Sequence, residues 1–89
     1  MSDMSGMSVE RVDELSARFR RHGDEVASVI GQLRSALEST PWAGADREQF
    51  VARFDGQIRG DLTMVQHLLL DTADQLAAQA EDQRRTSGH

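Results

Sequence analysis

The residues able to do chemistry are few. The imidazoles are His22, His67 and His89, and there is no Cys. Without thiolates there is neither a disulfide staple nor a Cys-type metal site. If the chain folds back near Trp42, His22 faces residues near Leu62 and His67 faces residues near Ala17. The two imidazoles would then lie within a turn or two of each other. A metal would also need carboxylates, such as Asp61 or Asp71, turned inward. A histidine spaced among apolar residues reads instead as part of a helix seam, where its protonation would make an interface sensitive to pH. Ser, His and Asp occur together, but the spacing offers no cleft to hold a nucleophile, a base and an orienting acid in register. No glycine-rich phosphate loop is present. The chain therefore reads as a protein that binds rather than an enzyme, with no cofactor and no metal.

Charge narrows what it binds. The net charge is -5, with seven acids and five Arg in residues 1–44 and eight acids and five Arg in residues 45–89. A nucleic-acid ligand calls for a basic stripe that releases counterions, and an anionic membrane surface calls for a basic cluster. Neither is found. No apolar run approaches the roughly 20 residues of a membrane span. Residues 1–7 are polar and lack the basic and apolar regions of a secretory signal peptide.

The elements that would carry a binding surface are helices. Residues 1–7 read as a disordered leader. Ser8 is placed to cap a first helix, with Met7 and Val12 spaced for a hydrophobic staple. Val12, Leu15, Phe19, Val26, Val29, Leu33 and Ala36 then follow at steps of three and four, with His22 in the same series. That is a heptad seam, and it predicts a helix over residues 8–39. Pro41 disfavours helix at Thr40 and ends the run, leaving a turn over 40–44. Asp46 and Gln49 resemble a capping box for a second helix. Its apolar series is Phe50, Phe54, Ile58, Leu62, Val65, Leu69, Ala73, Leu76 and Ala80, predicting helix over 45–84. Residues 86–89 read as a disordered tail. The glycines Gly23 and Gly56, inside the predicted helices, read as tolerated surface positions.

Two such helices joined by so short a turn must fold back as an antiparallel pair, so residues 8–85 form one all-α hairpin. Each apolar stripe is wider than a two-helix contact can cover. A domain of 89 residues without disulfides has little core to spare. Covering the remaining flank is worth roughly 25 cal/mol per Å². A second hairpin would cover it and complete a four-helix bundle. The pattern leaves open whether that hairpin is a copy of this chain or a different one.

Trp42-Ala43-Gly44, in a short turn between two amphipathic helices of a chain near a hundred residues, resembles the WXG family. These are small helical hairpins handled by type VII secretion systems, like the early secreted antigenic target proteins. The string from Trp42 to Phe50, with Phe54 and the segment Glu81–Ser87, is similar to the actinobacterial branch. The resemblance covers about residues 8–87. It implies a homodimer or heterodimer with another hairpin of this type. It further implies a recognition surface for the secretion ATPase around Trp42 and Gly44, and export from the cytoplasm by a route independent of a signal peptide. On physical grounds Gly44 would ease the turn, while Trp42 would plug the end of the helix pair with its N–H edge left wet. The plug and the recognition surface both stand as readings of Trp42. The family commonly carries Tyr-x-x-x-Asp/Glu after the second helix, and this chain has no Tyr. A partner would then supply that signal, or the branch uses another. The alternative is an intracellular coiled-coil adaptor with no export role.

Overall fold

A computed structural model describes the backbone of residues 2–87 and the side chains of residues 9–86. It is a helical hairpin, with no strand among the described residues. The first helix, α1, spans Ser2–Ser39; the return rod comprises α2 (Gly44–Arg53), a π-helical turn (Phe54–Ile58) and α3 (Arg59–Ser87). The rod is long and thin, 67 × 18 × 16 Å.

Both outer ends run further than the sequence reading placed them. α1 begins at Ser2, so the expected leader is helical from there on. Once a helix is nucleated each added residue gains a hydrogen bond, and no Pro interrupts residues 2–8. The Ser8 cap and the Met7–Val12 staple lie outside the described side chains. α3 continues to Ser87, past the expected 84. The Thr86 hydroxyl donates to the Asp82 carbonyl at 2.8 Å, which satisfies one acceptor of the last turn. Gly88 and His89 lie outside the described residues.

At the turn, Ser39 and Thr40 hydroxyls donate to the Ala36 carbonyl at 3.3 and 2.6 Å. They take up a C-terminal acceptor just where Pro41 forbids the helix to go on. Ala43 is extended (φ -74°, ψ 130°) and caps α2 through its backbone. Its carbonyl accepts from the N–H groups of Asp46 and Arg47 at 3.1 and 3.3 Å. The cap is thus Ala43 rather than the expected Asp46, because the helix begins two residues before Asp46. Gly44 is the first helical residue and has no positive φ; a Cβ there would meet nothing within 4 Å. The turn does not require glycine at this position.

The line of closest approach runs through small residues, with Val9 and Ile30 at its two ends on α1. On α1 the buried positions Val9, Ser16, Gly23 and Ile30 recur every seven residues. Facing them on α3 are buried Ala73 and Ala80, with half-buried Gln66 one heptad before Ala73. The Ser16 hydroxyl donates to the Ala73 carbonyl at 2.7 Å across the interface. A Cβ built on Gly23 would lie 2.7 Å from a Leu70 methyl and 3.0 Å from Leu70 Cγ. Gly23 is therefore a close-approach position, not the tolerated surface glycine its sequence context implied. Gly56 does stand in open space, as do Gly31 and Gly60.

This contrast makes a prediction about stability. Gly31→Ala adds a methyl where nothing is near and should stabilise the protein by about 0.5–1 kcal/mol. Gly23→Val must displace the Leu70 side chain and crowd the Gln66 carbonyl, and should cost about 1–3 kcal/mol. Urea melts of the two variants read both signs.

The second helix is not one uninterrupted α-helix. Phe50, Phe54, Ile58 and Leu62 step by four each time, and at 3.6 residues per turn each such step rotates the stripe by about 40°. The π turn absorbs that drift: the Arg59 N–H donates to the Phe54 carbonyl, five residues back. Phe54, 2% exposed, is the large side chain that this turn drives into the hairpin. α2 itself contains no buried residue, and α1 packs along α3. The helices therefore pair Ser16 with Ala73, Gly23 with the Gln66–Leu70 turn and Arg34 with Asp55. The expected pairing of His22 with the level of Leu62 is displaced because α2 splays before the packing begins.

Candidate interaction surface

The close contact between small residues divides the rod into two unlike sides. Asp13, Arg20 and Arg34 lie on one flank of the buried line, spaced by seven and fourteen residues. Each reaches across to the return rod. Arg20 Nη2 donates to Asp74 Oδ1 at 2.7 Å, Arg34 Nε lies 3.2 Å from Asp55 Oδ1, and Arg84 pairs with Asp13. The hydrogen bond from Arg84 to Asp13 raises the guanidinium pKa above its ordinary value. Arg34 Nη1 is 3.4 Å from Glu38 Oε2 but lacks hydrogen-bond geometry, so that buried nitrogen has no hydrogen-bond partner. These pairs tie the helices in register and, lying at or near the surface, add little to stability.

The opposite flank is apolar. The predicted seam of α1 lies here, rotated off the contact line by about one position. Val12, Phe19 and Val26 are half-buried, whereas Leu15, Val29 and Leu33 remain 42–43% exposed. On the return rod Ile58, Leu62, Leu69 and Leu76 are half-buried, and Phe50 and Val65 are exposed. The two stripes meet in open grooves. Leu15, Arg18, Phe19, His22 and Leu69 line one. Leu33, Ala36, Leu37, Thr40, Phe50, Phe54 and Ile58 line the other, nearer the turn. Of the predicted seams, Phe54, Ala73 and Ala80 are buried between the helices, whereas Leu15, Val29, Leu33, Phe50 and Val65 are exposed. The seam was displaced because small residues, not the largest apolar ones, take the shortest distance between the helices.

His22 belongs to this side as well. It is exposed, with Nδ1 2.7 Å from Glu25 Oε1, so it is not a buried seam residue in this hairpin. No group of three or more His, Asp or Glu residues is placed to hold a metal among the described residues. Nor is any described helix long and apolar enough to cross a membrane.

Trp42 does not plug the hairpin end. It is 36% exposed, and its ring lies 5.5 Å from that of Phe50, tilted by 32°. With α2 splayed from α1, the indole has no closed end to fill and lies along the outside of α2. Trp42 and Phe50, with Asp46, Gln49 and Arg53, line a shallow depression that continues the apolar side toward the turn. The exposed Trp42–Phe50 pair was not legible from the motif alone. The signal that could have found it is the spacing of Phe50, eight residues on and two turns along the same helix approach. The chain matches no family model, no curated protein and no solved structure.

Proposed function

We propose that this protein acts by pairing the apolar side of its hairpin with a second helical hairpin. In this reading it is a type VII secretion substrate or the helical companion of one. The observation that supports pairing is the sidedness of the rod. Cross-helix ion pairs occupy one flank, while Leu15, Val29, Leu33, Phe50 and Val65 stand open on the other. A lone hairpin has no use for such an asymmetry. A four-helix bundle would bury the open flank and leave the charged one wet. The partner is another hairpin of similar length, identical or different, because the open stripe runs from Leu15 to Leu33 and returns from Phe50 to Leu76.

The export reading rests on the turn motif and on where it lies. Trp42 and Phe50 form an exposed aromatic pair at one tip of the rod, where Phe50 ends the open flank and Trp42 stands beyond it toward the turn. Aromatic pairs at an accessible tip are suited to recognition by another protein. In this reading the protein is cytoplasmic until the secretion ATPase engages it, and then leaves the cell.

Trp42→Ala and Gly44→Ala separate recognition from folding. Neither fills or empties a buried site: Gly44 has free space and Trp42 is partly exposed. Both variants should keep the helical circular-dichroism signal and the oligomer mass, while export from a host carrying the secretion system falls at least tenfold. Undiminished export of both would take the recognition role away from the turn, and a wild-type chain that is not exported at all would leave the intracellular adaptor as the better reading.

A further inference from the structure

One apolar surface lies on the outer face of α3, turned away from α1. Met64 and Leu68 are 69% and 65% exposed, more than any other large apolar residue described. On α3, Asp61, Met64, Leu68 and Asp71 are spaced three, four and three apart, so they form a single ridge about 15 Å long. At 100° per residue, Met64 points nearly opposite Ala73, away from α1. Asp61 and Asp71 close the two ends of the ridge, and neither has an ion-pair partner among the described residues. From residue 60 to residue 83 the sequence contains five acids and no Arg or Lys.

We infer that this outer ridge of α3 is a second docking surface, for an amphipathic helix of another protein with an apolar pair bracketed by basic residues. Two exposed apolar side chains between unpaired carboxylates select that chemistry. Apolar contact fills the middle, and Arg or Lys at the ends neutralises Asp61 and Asp71. A second copy using the same ridge is disfavoured, since in either orientation the carboxylates of the two ridges would face each other. The outer face of α1 does not qualify either, because Arg11, Arg18 and Arg21 alternate there with Glu14, Asp24 and Glu25. The inference is independent of pairing through the open flank.

The probe is a fluorescein-labelled 18-residue helix-forming peptide with two Leu at i and i+4, bracketed by Arg at i−3 and i+7. A matched peptide has Glu at the brackets. Fluorescence anisotropy should show the Arg peptide binding at least tenfold more tightly than the Glu peptide. Met64→Ser with Leu68→Ser should weaken it at least tenfold, and Asp61→Asn with Asp71→Asn should do the same. Asp24→Asn with Glu25→Gln removes the same charge elsewhere and should change binding less than twofold. Equal binding of the two peptides would overturn the inference. So would an equal loss from both charge-removal pairs, which would mark simple attraction to an acidic protein. All these substitutions are at exposed positions, so helicity should hold, and the oligomer mass reports separately on the open flank.

Discussion

Phe54→Ala is expected to destabilise the hairpin by about 3–5 kcal/mol, the range for a fully buried Phe. Phe54 is 2% exposed and is the largest side chain in the buried set. It sits at the start of the π turn, where its carbonyl also accepts from Arg59. A protein of this size has a total stability of only about 5 kcal/mol or so, and the buried set otherwise consists of small residues and two branched aliphatics. The variant should therefore be largely unfolded at 37 °C, as thermal circular dichroism would show. Phe50→Ala is the contrast. Phe50 is 38% exposed, tilted against Trp42 and at the edge of an open groove, so its loss should cost about 1 kcal/mol or less in the isolated chain. If the two substitutions cost the same, the assignment of Phe54 as the anchor of the hairpin is wrong.

The second large effect concerns association. Val29→Asp together with Leu33→Asp should weaken pairing by at least about a hundredfold, roughly 2.8 kcal/mol. A carboxylate placed at the centre of a desolvated apolar contact either stays charged without a partner or must take up a proton, and both are costly. Both residues are more than 40% exposed in the isolated hairpin, so the monomer should keep its helices. Arg20→Ala on the other flank loses one exposed pair to Asp74 and should leave the mass unchanged. Mass photometry is blind to so small a particle, so the comparison belongs in the ultracentrifuge.

The class of the fold was legible because its signals are coarse. Two apolar series at steps of three and four, separated by Pro41, admit only helices folded back on each other. The rotation of the seam was not legible. A reading that ranks positions by apolarity includes Ala73 and Ala80 in its second series, but on α1 it puts Leu15, Val29 and Leu33 at the contact and passes over Ser16 and Gly23. The structure inverts this, because the distance between two helix axes is set by the smallest side chains along the contact. Gly23 shows the point most clearly: its lack of a side chain, which counted as weakness in a helix, is what admits Leu70. The π turn did leave a trace, in the run of four-residue steps from Phe50 to Leu62, though a stripe of mixed threes and fours hides it. At the turn, the motif named Trp42 and Gly44 but could not show that α2 splays and leaves the indole on Phe50.

The same displacement gives the interaction surface its form. Had the predicted seams met edge to edge, the largest apolar residues would have been consumed inside the hairpin. With small residues at the contact, those larger ones remain exposed on one flank, where the proposed partner would cover them. The exposed ridge at Met64 and Leu68 is on the outer face of α3, where the second docking surface is proposed.

Sedimentation equilibrium of the purified chain, from low to high micromolar, puts the need for a companion to the sharpest test. If the second hairpin is a copy of this chain, the mass is near twice 9.9 kDa and falls to 9.9 kDa when Val29 and Leu33 become Asp; if it is a different chain, the lone chain stays at 9.9 kDa but shows no cooperative melt. A wild-type chain that stays at 9.9 kDa throughout, fully helical and melting in one cooperative step, would show that the hairpin is complete by itself.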